Sequence, residues 1–297
     1  FQELKDCDWI AEAVVERLDI KQSLYQRLNE SCKEATIITS NTSTIPISLL
    51  TKGMPKKFCE RFAITHFFNP VRFMRLLELV RGEFTRDEVI DTLDLFSEKI
   101  LGKGVVSCSD TPGFLANRVG VFAIQCALHK AFEYKLSPTE ADAFFGRPLG
   151  LPKTGVFGLY DLIGIDLMAD VVKSLVSILP ENDVFHKYSS PIEIMTDMIA
   201  NGQTGNKNEK GFYKQVGDER QVIDLSSGNY GVHERLKTPL LEEAEKIGIS
   251  FIIKDTSTYG LYIWDVISET LCYAASLVPE VTDDLTQIDD AMKLGYN

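Results

Sequence analysis

Apolar and polar positions follow two rhythms along this chain. Residues 8–15 (Asp8-Trp-Ile-Ala-Glu-Ala-Val-Val15) form a short apolar run suited to a buried strand. Glu16, Leu18, Ile20, Leu24, Tyr25 and Leu28 then follow at helical spacing. Thr36 to Ser40 is β-branched and apolar, and Asn41-Thr-Ser-Thr44 supplies a turn and a helix cap. Phe62–Phe68, Met74–Val80 and Val105–Cys108 read as strands, with an amphipathic helix over Thr85–Leu101. Strands alternating with helices predict a mostly parallel α/β sheet. One connection breaks the pattern. Only Asn69 to Phe73 separate two of the strands, too few for a parallel crossover of about a dozen residues, so that pair is expected to be an antiparallel edge.

After Asp110 the rhythm changes. Thr111-Pro112 is a helix start, and helical spacing continues to about Ala200. Residues rich in Gly, Asn and charge then read as a linker with one extended piece at Gly211–Lys214, before a second helical segment from about Thr238. Val105–Thr111 aligns with Ser250–Thr256, the helices after them share a register, and Glu140-Ala-Asp-Ala143 finds a counterpart in Ile288-Asp-Asp-Ala291. The expected organisation is α/β then all-α: a sheet domain at 1–109, a helical domain at 110–204, a linker at 205–235, and a second, incomplete helical repeat at 236–297.

Composition narrows the function. Of 297 residues, 44% are hydrophobic and 25% charged, which excludes dominant disorder. Lys+Arg 31 against Asp+Glu 43 gives a net charge of −12, unsuited to general binding of nucleic acid or anionic membrane. The six cysteines are scattered without zinc spacing, so free thiols in a reducing compartment and no metal site are expected. No apolar run reaches membrane-spanning length, and Phe1 opens the chain as if inside a longer one.

Chemistry concentrates at Thr65-His66-Phe-Phe-Asn-Pro70, a His at the end of an apolar strand, where α/β sheets place ligands. Glu78 sits in the apolar strand Leu76-Leu-Glu-Leu-Val80, and a buried carboxylate needs a partner. If those strands run back antiparallel, the two meet, and Glu78 on one ring nitrogen leaves the other able to take a proton. A hydrogen-bonded core His with Glu78 in solvent is the alternative.

Thr65-His66-Phe-Phe-Asn-Pro70 resembles the signature of the L-3-hydroxyacyl-CoA dehydrogenases. Ser40-Asn-Thr-Ser43 and Asp110-Thr-Pro-Gly-Phe-Leu-Ala-Asn-Arg118 resemble two further family segments, in order and at fitting spacing over roughly residues 8–170. The resemblance implies the C-terminal part of a Rossmann-type sheet followed by helices, NAD as cofactor and an acyl-CoA substrate in fatty-acid β-oxidation. It implies that His66 takes the proton of the 3-hydroxyl and that Glu78 orients His66. Ser43 and Asn117 would hydrogen-bond the substrate, Asn69 would shape the pocket, and Glu16, Lys21, Asn41, Ser43 and Asn69 would face the cofactor. A helix cap at Ser43 and a solvated Glu16–Lys21 pair are the plainer readings. Arg72 and Arg75 stand beside this region, either for coenzyme A phosphates or as exposed strand-edge charges.

The later repeat has Tyr262 in place of Asn117, which marks it as structural, and the expected assembly is a homodimer or an intrachain pseudo-dimer of helical repeats. No glycines here form GxGxxG, the turn that seats a pyrophosphate on a helix N-terminus. The chain therefore reads as an N-terminally truncated fragment. Gly146-Arg-Pro-Leu-Gly-Leu-Pro-Lys-Thr-Gly155 resembles large bacterial members that also carry an enoyl-CoA hydratase domain. That favours the bacterial cytoplasm, with the mitochondrial matrix as the other compartment. Rival readings are another β-hydroxyacid dehydrogenase, or an inactive folded assembly module.

Overall fold

A computed structural model describes residues 1–296. The chain divides into two compact units, one of residues 1–118 with 274–296, the other of residues 119–273.

The first unit is built on a five-stranded sheet in the order β1-β2-β3-β4-β5: Trp9–Glu12, Ile37–Ser40, Phe62–Phe67, Leu76–Arg81 and Gly104–Cys108. β1, β2 and β3 are parallel, β4 runs antiparallel to β3, and β5 is parallel to β4. The sheet is thus mostly parallel, and its antiparallel pair is the one the short connection demands. Helices α1 (Leu18–Ser31), α2 (Ile47–Leu50), α3 (Lys56–Cys59) and α4 (Asp87–Lys99) connect the strands.

β3 and β4 are buried along nearly their whole length, so both read as continuous apolar runs instead of alternating ones. One cluster joins Ala63 and Leu79 to Val89 and Leu93 of α4, with Trp9, Ile37 and Val105 packed around it. A second is aromatic: Tyr25 meets Phe62 edge-on at 5.1 Å, and Phe58 lies 5.5 Å from Phe62.

Helix α5 (Ala116–Glu133) carries the chain into the second unit, with α6 (Pro138–Phe144), α7 (Gly155–Ile163), α8 (Ile165–Ile178) and α9 (Glu193–Ala200) after it. α6 starts on a reciprocal cap in which Ser137 Oγ accepts from Glu140 N and the Glu140 carboxylate accepts from Ser137 N, with Pro138 in the first turn. Residues 205–235, expected as a linker, contain an antiparallel sheet of β6 (Tyr213–Val216), β7 (Glu219–Ile223) and β8 (Tyr230–Val232). Gly217-Asp218 makes its first turn, with Gly217 at φ +60°. Asp161 of α7 holds the sheet by accepting from Phe212 N and Tyr213 N, each at 2.8 Å.

α10 (Pro239–Ile247), α11 (Ile249–Ile252) and α12 (Thr258–Ser276) follow. Ser250–Thr256, aligned in sequence with strand residues 105–111, is here a short helix and turn. The same apolar pattern forms a strand only beside a sheet edge, and α11 packs on α10 instead. Tyr262 is fully buried and donates its hydroxyl to Ala127 O of α5 at 3.1 Å, while Phe122 stacks on Tyr273 at 4.2 Å.

The last segment, 274–296, belongs with the first unit. Its helix α13 (Leu285–Gly295) lies against β4 and β5. Gly104 and Gly295 permit this approach: a Cβ on Gly104 would stand 2.4 Å from Leu294, and one on Gly295 2.7 Å from Leu76. The edge of β5 is closed by Ser107 N donating to Gln287 Oε1 and Ser109 N donating to Val281 O.

Candidate active site

The β3–β4 register sets His66 directly opposite Glu78. Side chains of such a pair share a face, and His66 Nδ1 lies 2.7 Å from Glu78 Oε2. Glu78 is fully buried, and His66 is 7% exposed.

The other carboxylate oxygen is held from a third direction. Glu78 Oε1 accepts from Leu115 N at 3.0 Å and Ala116 N at 2.7 Å, the first amides of α5. The Thr111-Pro112-Gly113-Phe114 turn makes this possible, because Gly113 and Phe114 both take positive φ, +77° and +47°, and swing the helix start toward β4. The helix N-terminus then holds the charge with oriented dipoles. Cys108 Sγ completes the set at 3.8 Å from Oε1, its thiol kept protonated by burial and by the carboxylate beside it.

With Glu78 on Nδ1, the second ring nitrogen, Nε2, has no partner among the described residues. Phe68, Phe114 and Tyr296 supply the surroundings: Phe68 and Phe114 lie 4.8 and 5.8 Å from the imidazole, and Tyr296 meets Phe68 edge-on. The arrangement leaves one ring nitrogen open beside a mostly apolar wall.

The other predicted residues divide in two. Ser43, Asn69 and Asn117 have side chains with no hydrogen bond to a described residue, leaving their polar groups available to a ligand. Asn41, Glu16 and Lys21 are already engaged. Asn41 Oδ1 accepts from Phe67 N at 2.9 Å, tying the loop after β2 to the end of β3. Glu16 accepts from the Thr42 hydroxyl, from Ser43 N at 3.2 Å and from Thr44 Oγ1 at 3.1 Å, which shapes the Asn41–Thr44 loop.

Lys21 is not a solvated partner of Glu16: its ammonium is buried, 2.7 Å from Glu12 Oε1 and 3.3 Å from Glu16 Oε2. Glu12, which sequence reasoning passed over, also accepts from Tyr25 OH at 2.5 Å, Ser40 Oγ at 2.8 Å and Val14 N at 2.8 Å. Its signal was the one that exposed Glu78, a carboxylate inside an apolar run. Arg72 and Arg75 are exposed. Among the described residues no cluster of His, Cys, Asp or Glu could hold a metal ion, and no helix is long and apolar enough to cross a membrane.

The fold is the later part of a doubly wound dinucleotide-binding sheet, with a His–carboxylate pair at its carboxyl edge. Residues 1–111 match the family described as 3-hydroxyacyl-CoA dehydrogenase, NAD binding domain, and residues 113–215 match its C-terminal domain. A putative fatty acid oxidation complex trifunctional enzyme of Rickettsia prowazekii is 40% identical over 99% of this chain and 41% of its own length. The solved (S)-3-hydroxybutyryl-CoA dehydrogenase of Ralstonia eutropha is 32% identical, with 71% of each chain covered and a TM-score of 0.59. A 3-hydroxybutyryl-CoA dehydrogenase structure from Escherichia coli shares the fold across 100% of this chain and 73% of its own, with TM-score 0.73 and 24% identity. The chain belongs to the 3-hydroxyacyl-CoA dehydrogenase family. It spans about two fifths of the length of the Rickettsia relative.

Proposed function

We propose that this chain carries the catalytic centre for NAD+-dependent oxidation of an L-3-hydroxyacyl-CoA to the 3-ketoacyl-CoA in fatty-acid β-oxidation. The observation that carries the reading is His66 held by Glu78 at Nδ1 with Nε2 left open. Nε2 takes the proton of the substrate 3-hydroxyl, and Glu78 fixes the tautomer that permits it. Bound NAD+ supplies the hydride acceptor for C3. Ser43 and Asn117 donate to the substrate oxygens, and the aromatic wall excludes water. Glu16 and Asn41 hold the Asn41–Thr44 loop, and Lys21 supports it from beneath through Glu12. Ser43 and Asn69 then face the nicotinamide side.

The residues present fit that half of the cofactor, since the loops after β1, β2 and β3 gather outside the carboxyl ends of parallel strands. A glycine-rich pyrophosphate turn is not in this sequence. The second helical segment stands in for a partner subunit, with Tyr262 serving packing.

Glu78→Gln tests the dyad in the full-length protein that carries this sequence. The amide oxygen can still accept from α5, but its NH2 donates to Nδ1 and selects the tautomer with a proton on Nε2. A comparable acid-to-amide change beside a catalytic His lowers turnover by about 10⁴-fold, and a fall of that order in kcat for oxidation of L-3-hydroxybutyryl-CoA, with its KM little changed, is expected. A kcat within threefold of the parent, or a loss confined to KM, removes Glu78 from this role.

A further inference from the structure

Outside the His66 region, one cleft gathers positive charge in an otherwise acidic protein. It lies wholly within the second unit, has a volume of about 530 Å³, and is ringed by Arg147, Lys153, Arg220 and Arg235. Three stretches far apart in sequence supply these cations: the turn at 146–155, β7, and the segment after β8. Chance surface charge on a chain of net −12 would be dispersed among carboxylates. Here the side chains of Arg147, Lys153 and Arg220 have no ion-pair partner among the described residues. Arg235 has only a 3.9 Å approach to Glu245.

The acidic groups of the cleft neutralise them only in part, with Arg220 attracting the Asp161 carboxylate electrostatically. Asp142 is spent on Phe157 N, Gly158 N and Tyr213 OH, at 2.7, 3.0 and 2.8 Å, and Asp161 on the amides of β6. Burial also pushes the Asp142 carboxyl up to about 7, so near neutrality its negative charge is partly lost.

The backbone that carries the cations is held in place. Gly150 and Gly155 take φ +75° and +68°, and a Cβ on Gly155 would stand 2.3 Å from Asp142, so the turn bearing Arg147 and Lys153 fits tightly against α6. The Arg220 guanidinium lies over the Tyr213 ring at 4.1 Å, and Arg220 O accepts from His233 N, which leads the chain to Arg235. Leu236 and Leu241 form an apolar wall on the same cleft. Guanidinium groups match phosphate oxygens, and the volume exceeds what one phosphate needs while lying within the range of small-ligand sites.

We propose that this cleft is a binding site for a nucleotide polyphosphate, its phosphates on Arg147, Lys153 and Arg220 and its ring against Leu236 and Leu241. The site uses none of the residues assigned to dehydrogenation, and the proposal stands apart from that assignment.

Calorimetric titration of the 297-residue chain with ADP, inorganic pyrophosphate and adenosine tests it. ADP is expected to bind with Kd of about 1–100 µM, pyrophosphate about tenfold more weakly, and adenosine not measurably. Arg147→Ala/Lys153→Ala, and separately Arg220→Gln, should each weaken ADP at least about tenfold, or 1.4 kcal/mol. All three side chains are exposed, so folding is not at stake. In the full-length protein the double variant should keep NADH-dependent turnover of acetoacetyl-CoA, which separates failure here from failure of the dehydrogenase reading. The proposal is overturned if ADP gives no binding at about 5 mM, if adenosine binds as tightly as ADP, or if both variants bind ADP within about twofold of the parent.

Discussion

Replacing His66 by Gln is expected to lower kcat for acetoacetyl-CoA reduction by about 10²–10⁴-fold in the full-length protein, the usual contribution of a positioned acid–base group. Gln is close in size and keeps an amide that can meet Glu78, so the apolar wall of Phe68 and Phe114 stays filled. Acetoacetyl-CoA affinity should therefore change little, and calorimetry alongside the rate assay separates the two effects. The loss belongs to proton transfer because Nε2 is the ring nitrogen without a structural partner. A variant that keeps more than about a third of the parent rate would show that another group handles the proton.

The largest effect on stability is expected at Glu12, away from the chemistry. Its carboxylate ties together Lys21, Tyr25, Ser40 and the amide of Val14, and both ends of the Glu12–Lys21 pair are about 1% exposed. Glu12→Ala leaves the Lys21 ammonium buried with only the partly exposed Glu16, at 3.3 Å, and Val14 O, at 3.4 Å, as partners. Removing one partner of a buried ion pair costs about 3–5 kcal/mol, and urea denaturation should report a loss of that size. Glu12→Leu combined with Lys21→Met should recover much of it, because two apolar side chains leave no uncompensated charge. A loss below about 1 kcal/mol for Glu12→Ala would mean that water or rearrangement satisfies Lys21.

Sheet topology was readable because β3 and β4 are doubly buried, and such strands announce themselves as unbroken apolar runs. The short Asn69–Phe73 connection then left only an antiparallel pairing. His66 with Glu78 was readable for a related reason, since a carboxylate inside an apolar strand has to be paired.

Glu12 gave the same signal but its partners did not. Lys21, Tyr25 and Ser40 come from a helix and a neighbouring strand, and no local spacing brings them to one carboxylate. For that reason Lys21 looked like a solvated helix residue when it is a buried ion-pair partner.

The small β6–β8 sheet was hidden by composition. Its outer residues Lys214, Gln215, Glu219 and Arg220 are polar, and Gly217-Asp218 was its one strong mark. Ser250–Thr256 aligns with strand residues 105–111 yet is a short helix and turn, because strand formation depends on a neighbour that sequence cannot supply. The apolar face of α13 was legible, but not that β4 and β5 would be its partner. The glycines at 104 and 295, which let the backbones approach, explain the packing only once it is seen.

The account stands on one comparison of rates. Initial velocities of NADH oxidation by the full-length protein should be measured with acetoacetyl-CoA and with free acetoacetate at equal concentration. Turnover of the thioester, loss of that turnover in His66→Gln, and a specificity for acetoacetyl-CoA at least about 10³-fold above that for the free acid are expected. Equal or faster reduction of acetoacetate, or thioester turnover that His66→Gln leaves intact, would contradict it.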